Sequence, residues 1–366
     1  MQKINFWETD VGIDDYKKQK KIFTINYPNE GEYVTLLENK VKKILKTKYC
    51  IALPSCTSAL YISLKILNLK STDEVIIPNI TFAATANAVH MAGAKIVLVD
   101  VDVKTLNIDI EDLKKKITKK TKVIIPVHVS GRGCDMKSIQ NLANKNKIKI
   151  VEDAAEAFLS KKNNKYLGTI GDMGCYSLSP NKIFTSGQGG LLVTNDKKYF
   201  DKIKVFKTQG RIGVTNGGDD IHISPGGNFK LSNISAGLAL SQLEKVNLRK
   251  KILTKNYLNY KKKLKNLKQI EILNFETDKN ELPLWTDVVC QKRDKLFNFL
   301  KKNKIICRKF WFPLSKKNFY SKQQHSSFGN TMSVEKKIMW LPSSFLMTKK
   351  QQDKVIGKII QFYRGD

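Results

Sequence analysis

Arginine is scarce in this chain: six residues among 366, against 59 lysines. Acidic groups are few as well, 33 against 65 basic ones, which leaves a formal net charge of +32. No helix-turn-helix or RNA-binding signature accompanies that charge, which is almost all lysine and spread along the chain. A specific nucleic-acid partner is therefore not expected, although such a field favours attraction of anionic substrates. No run is apolar and long enough to cross a membrane, and the opening MQKINFWETD lacks a signal-peptide core. A cytoplasmic protein without membrane insertion is expected. The six cysteines (50, 56, 134, 175, 290 and 307) are scattered and form no CxxC pair. This excludes a disulfide or zinc framework, and no metal is expected. Internal repeats and low-complexity linkers are absent too.

Scarcity makes the arginines informative. Where lysine serves as the general cation, an arginine is more often present for its planar bidentate fork. Arg132, Arg211 and Arg308 lie in loop-like or motif-like segments and are candidate anion clamps; the competing reading is a structural ion pair.

Strand and helix signals alternate along the first two thirds of the chain. Apolar runs at 49–53, 74–78, 95–100, 122–129 and 148–151 read as strands, and helical spacing appears at 33–45, 56–67, 111–117 and 139–145. Continuous apolar strands separated by helices predict a parallel sheet covered on both faces. Residues 190–194 predict a strand that turns back along that sheet, followed by a helix at 200–206, an irregular Gly-rich stretch at 209–229 and a helix at 231–246. From residue 247 a long basic helix leads to strands at 270–275, 284–290 and 305–307 and helices at 293–303 and 349–362. The division expected is an N-terminal arm (1–30), a large domain (31–246) and a smaller α/β domain (247–366).

The stretch from Ile150 to Gly190 carries the chemistry. A buried strand runs into Glu152 and Asp153, which sets a carboxylate at the carboxyl edge of the sheet, where open α/β sheets bind ligands. A second strand ends in a polar turn carrying Lys182, between Asn181 and Ile183. A lysine amine can form a Schiff base with an aldehyde cofactor, and a carboxylate that keeps a pyridine nitrogen protonated turns the ring into an electron sink. The plain alternatives are a solvated surface lysine and an aspartate acting as helix N-cap. SCTSAL at 55–60 opens a helix whose first N–H groups could bind phosphate, with Thr57 and Ser58 adding hydroxyls. Phe82, at another helix start, could stack on a flat ring.

Eight strings then occur in one order: SCTSAL; DEVIIPNITFAATANAV with GAKIVLVDVD; PVHVSGRGCDM; VEDAAEAF; GDMGCYSLSPNK; TSGQGG; GGNFKLSNISAGLALSQL; and LPSSFLMT. Together they resemble the DegT/DnrJ/EryC1/StrS family of sugar aminotransferases, which use pyridoxal 5′-phosphate on the type I (aspartate aminotransferase) α/β fold. The resemblance implies that Lys182 holds the cofactor covalently and moves the proton, with pyridoxamine 5′-phosphate as the aminated form. It implies that Asp153 pairs with the pyridine nitrogen, that Phe82 stacks on the ring, that Glu156 stands where the family commonly has glutamine, and that Thr57, Ser58 and Ser177 bind the phosphate. Asn228 would reach the phosphate of a neighbouring subunit, which implies a homodimer with shared sites. Lysine at 182, where the family's sugar dehydratases carry histidine, favours transamination. Departures cluster around the expected substrate: Gln188 in GQGG, and PVHVSGRG, which sets Arg132 near His128. The resemblance implies L-glutamate as donor; the extra guanidinium groups would suit a phosphate-bearing keto acceptor, substrate residues being sought among Arg132, Arg211, Arg308 and His128. The acceptor is expected to be a nucleotide-linked sugar for surface polysaccharide synthesis. Alternatives are a small phosphorylated ketone such as dihydroxyacetone phosphate and, from another class, a non-catalytic regulatory protein on the same fold.

Overall fold

The computed structural model describes residues 3–24, 27–213, 221–321 and 327–365. In chain order the elements are α1 (Ile13–Thr24), α2 (Glu32–Leu45), β1 (Tyr49–Leu53), α3 (Cys56–Lys65), β2 (Glu74–Pro78), α4 (Ala83–Ala92), β3 (Lys95–Val99), α5 (Ile110–Lys116), β4 (Thr121–Ile124), α6 (Met136–Asn146) and β5 (Lys149–Asp153). A short hairpin, β6 (Lys161–Lys162) and β7 (Lys165–Tyr166), precedes β8 (Met173–Ser177), β9 (Gly190–Thr194) and α7 (Lys197–Lys207). A ribbon of β10 (Arg211–Ile212) and β11 (Ile221–His222) leads to α8 (Asn233–Leu243), α9 (Val246–Leu264), β12 (Ile270–Ile272) and β13 (Thr286–Cys290). The remainder is α10 (Arg293–Lys302), β14 (Arg308–Lys309), α11 (Asn318–Ser321), α12 (Gly329–Val334), β15 (Ile338–Leu341) and α13 (Lys349–Arg364).

Seven strands form the main sheet in the order β1-β9-β8-β5-β4-β2-β3. β9 runs antiparallel to both its neighbours; the other pairings are parallel. The expected α/β class with a mostly parallel sheet is what the chain forms. β2, β8 and β9 are buried along their whole length, as strands covered on both faces must be. The carboxyl ends of β1, β2, β5 and β8 share one edge, where Asp153 ends β5 and the turns after β1, β2 and β8 carry Ser55, Thr81 and Lys182. A second, antiparallel sheet, β12-β13-β15-β14, carries its own core with α9, α10 and α13.

Local differences from the sequence reading have physical causes. β4 stops at Ile124 and does not reach His128, because Pro126 removes a ladder donor and biases the residue before it. Val127 regains a single bridge to Asp153. Residues 305–307 are not a strand of the second sheet. Ile305 bridges Ile4 in parallel, and the paired strand is Arg308–Lys309 against Trp340 and Met339. The first 30 residues are more than a polar arm: α1 packs on α8, and its buried Asp15 accepts from the Ser241 hydroxyl (2.5 Å) and the Gln242 amide (2.9 Å). Part of the Gly-rich stretch at 209–229 forms the β10–β11 ribbon, while residues 214–220 lie outside the described residues. All six cysteines are buried free thiols. Among the described residues no helix is long and apolar enough to cross a membrane.

Candidate active site

The strand ends open onto a cavity of about 520 Å³. Its walls come from the starts of α3 and α4, the turns after β5 and β8, and Trp285, Arg308 and Trp311 from the C-terminal part of the chain. Thr57, Phe82, His128, Asp153, Glu156, Ser177, Lys182 and Arg308 all line it, although the sequence spreads them over some 250 positions.

Ser55 caps α3, its hydroxyl accepting from Ser58 N–H at 3.0 Å. That leaves Thr57, one residue into the helix, to face the cavity. Ser58 is not part of the lining; its hydroxyl lies 2.9 Å from that of the capping Ser55. Gly190, at the start of β9, runs so close to this turn that an added Cβ would come within 2.3 Å of the Ser55 carbonyl carbon.

Asp153 ends β5 and is buried. One carboxylate oxygen accepts from the Thr85 hydroxyl at 2.8 Å and the other from Ala155 N–H at 3.2 Å. Thr81 continues the chain to Thr85 at 2.9 Å. Burial pushes the Asp153 carboxyl above its ordinary range, and the Thr85 and Ala155 donors pull it part of the way back. Lys182 closes a turn with its own N–H on the Ser179 carbonyl (3.0 Å). Its amine lies 3.3 Å from Glu156 Oε1 and 4.8 Å from the centre of the Trp285 ring. The other Glu156 oxygen accepts from Ser130 N–H at 2.8 Å. Burial raises the Glu156 carboxyl too, and the Lys182 charge opposes that rise.

Two expected substrate residues are structural. Arg132 is 2% exposed. Its guanidinium pairs with Asp287 at 2.7 Å, donates to the Asn274 and Thr105 carbonyls at 2.8 Å each, and lies over the Phe275 ring. Each of its three nitrogens has a protein partner and Arg132 does not line the cavity, which supports the ion-pair reading. His128 touches the cavity, but both ring nitrogens are engaged. Cys134 N–H donates to Nδ1 (3.2 Å), so Nε2 carries the proton and donates to Glu152 at 2.8 Å. Arg211 lies elsewhere, beside Glu30, Glu38 and Lys207 at a separate cavity. Asn228 bridges Thr208 and does not line its own chain's cavity. Of the three arginines only Arg308 stands at the site, its guanidinium over the Trp340 ring.

The sequence reading missed Thr85, Trp285 and Trp311 at the site. Four tryptophans in 366 residues were a signal of the same kind as the six arginines. It also gave Glu152 no role. That carboxylate accepts four bonds, from His128 and from the N–H groups of Gly168, Ile170 and Gly171, and thereby fastens the turn before β8.

Known proteins resemble the chain throughout. The family model for the DegT/DnrJ/EryC1/StrS aminotransferase family matches residues 14–360. GDP-perosamine synthase of Escherichia coli O157:H7 is 32% identical over 350 residues, covering 92% of this chain and 91% of that one. The spore coat polysaccharide biosynthesis protein SpsC of Bacillus subtilis is 28% identical over 374 residues, covering 97% and 96%. Among solved structures, Helicobacter pylori PseC, an aminotransferase involved in the biosynthesis of pseudoaminic acid, superposes over the whole of both chains with a TM-score of 0.94 at 22% identity. The fold is the expected type I aminotransferase fold, and the protein is an aminotransferase belonging to the DegT/DnrJ/EryC1/StrS family.

Proposed function

We propose that this aminotransferase uses pyridoxal 5′-phosphate to move an amino group from L-glutamate onto the keto group of a nucleotide-linked sugar, in the making of a surface polysaccharide. The observation that carries the reading is the meeting of the Lys182 amine and the Asp153 carboxylate in one cavity at the sheet's carboxyl edge. The donor set fits the cofactor: an amine within the cavity, a buried carboxylate with a raised pKa that a cationic ring nitrogen would relieve, and hydroxyls at a helix start for a phosphate. When bound, pyridoxal phosphate supplies the electron sink for the reaction.

The protein's own groups do the rest. Lys182 anchors the cofactor and, once freed, carries the proton to and from the substrate carbon. Glu156 lies beside that amine and holds it by a hydrogen bond of 3.3 Å. Asp153 keeps a proton on the ring nitrogen, with Thr85 fixing the carboxylate. Thr57, Ser177 and the start of α3 bind the phosphate, and Phe82 covers the ring face. Arg308 takes a phosphate of the acceptor. Asn228 serves the cavity of a second copy in a homodimer. Residues 31–246 hold the cofactor, and 247–366 close the cavity with Trp285, Arg308 and Trp311. The named relatives act in sugar and polysaccharide synthesis, which favours a nucleotide sugar over a small phosphorylated ketone.

The test is the visible spectrum of the protein with pyridoxal phosphate, before and after L-glutamate. The expected result is a visible band that glutamate converts to the aminated cofactor's near-ultraviolet band, and that Lys182→Ala lacks. A band unchanged by glutamate would overturn the donor, and no band at all the cofactor.

A further inference from the structure

The turn that carries Lys182 is held from outside the cavity by the N-terminal segment. Ser179–Lys182 is a β-turn with Pro180 at its second position, closed by Lys182 N–H on the Ser179 carbonyl. The central peptide of such a turn, Pro180 to Asn181, is the one whose rotation separates type I from type II. Its carbonyl receives two donors: Trp7 Nε1 at 3.1 Å and the Thr9 hydroxyl at 2.9 Å, 173 and 171 positions away in sequence. On the other side of Lys182, the Ile183 carbonyl accepts from Arg249 at 2.9 Å. The same guanidinium donates to the Asp10 carboxylate at 2.8 Å and to the Asp10 carbonyl at 3.2 Å. One carbonyl on each side of the lysine, that of Pro180 and that of Ile183, is thus fixed by one connected set of groups, closed through Asp10. Trp7 is itself seated edge-on against Phe345, ring centres 5.0 Å apart.

We propose that Trp7 and Thr9 are positioning residues for Lys182: by binding the Pro180 carbonyl they hold the central peptide of its turn in one orientation and so set where the amine reaches. The inference rests on the reading of Lys182 as the reacting lysine. A long, flexible side chain is aimed chiefly by its backbone, and misplacement of a reacting group by about 1 Å costs roughly a hundredfold in rate. The two donors matter because a turn's central carbonyl points away from the turn's own hydrogen bond and has no local partner.

The test is the double variant Trp7→Phe/Thr9→Val, which removes both donors while keeping the ring and the side-chain shape. In the cofactor-free protein, hydrogen exchange at the Lys182 amide should rise by about tenfold or more while the thermal midpoint moves by only a few degrees. In the cofactor-loaded protein, the pH titration of the visible band should shift, and kcat should fall by roughly ten- to a hundredfold with the KM for the keto substrate unchanged. Thr9→Val alone alters an exposed side chain and should show the same changes to a lesser degree; Thr9→Ser keeps the hydroxyl and should restore wild-type behaviour. Unchanged exchange and an unchanged titration in the double variant would overturn the proposal and leave the segment a packing element. If the wild-type protein itself bound no pyridoxal phosphate, the functional reading would fall, while the exchange measurement would still decide whether these donors hold the turn.

Discussion

Asp287 on β13 binds Arg132, from the loop after β4, through a buried ion pair of 2.7 Å. The same carboxylate accepts from the Ser130 hydroxyl and from Trp340 Nε1, each at 2.6 Å. It thereby ties the loop that supports Glu156 to the second sheet. Arg132→Ala is expected to leave the KM for the keto substrate unchanged and to lower unfolding free energy by about 3–5 kcal/mol, because it strands a buried carboxylate. Urea denaturation beside steady-state kinetics checks this. A raised KM at unchanged stability would return Arg132 to the substrate.

Thr85 governs how readily Asp153 ionises. Burial raises that carboxyl, and the Thr85 hydroxyl is the foremost group working against the rise. Thr85→Val removes the donor, so the Asp153 pKa climbs further. In the proposed function the ionised form is the one that holds a proton on the cofactor nitrogen, so activity should fail at a higher pH. The acid limb of kcat/KM is expected to move up by about one unit, the size set by one net hydrogen bond. An acid limb that stays in place would separate Asp153 from the reaction.

Arg308 and Arg211 should behave differently. Arg308 lines the cavity and Arg211 does not. Arg308→Ala is expected to raise the KM for the nucleotide-linked acceptor about tenfold, with glutamate kinetics and the visible band unchanged. Arg211→Ala should leave the acceptor KM unchanged. Equal acceptor KM values for wild type and Arg308→Ala would remove Arg308 from the phosphate-binding role.

Glu276 makes a pH-dependent clasp away from the site. Its carboxylate meets Lys162, on β6 of the short hairpin, and Lys279 at 2.7 Å. Lys162 first and Lys279 next lower its pKa from 4.5 to about 2. A carboxyl depressed in the folded state stabilises fully above its unfolded pKa and loses that contribution as pH falls through the folded one. Glu276→Gln is therefore expected to lower the thermal midpoint slightly at neutral pH, by at most about 1 kcal/mol of stability. The gap from wild type should close between pH 4.5 and about 2. A gap that persists at the acid end would mean that shape, not charge, is what Glu276 contributes.

What the sequence made legible was local or periodic. The buried strands announce themselves as apolar runs, and the turns after β1, β5 and β8 carry polar residues whose role depends on short spacing. Asp153, Lys182, Thr57 and Phe82 could be found because each stands at the end or start of such an element. What stayed hidden was decided by distant partners. Arg132 looks like an anion clamp until Asp287, Asn274 and Thr105 close around it. His128 looks available until Glu152 and Cys134 N–H take both nitrogens. Ile305 and Cys307 read as strand because they are buried, yet Ile305 pairs with Ile4. Burial leaves a mark on composition; the identity of the partner does not.

The placement of β9 between β1 and β8 sets a schedule for the newborn chain. Among the described residues β1 has no neighbour in the sheet except β9, and a buried bond from the Thr47 hydroxyl to the Thr194 carbonyl spans 147 positions. At cellular synthesis speeds of about 5–20 residues per second, the edge of β1 stays unpaired for roughly 7–30 s after it leaves the ribosome. The turn after β1, which the proposed function gives to the cofactor's phosphate, cannot be finished before then. Trp285, Arg308 and Trp311 arrive later still, so vitamin loading would be confined to chains nearly completed, and a stalled ribosome would hold an apolar strand in search of any partner.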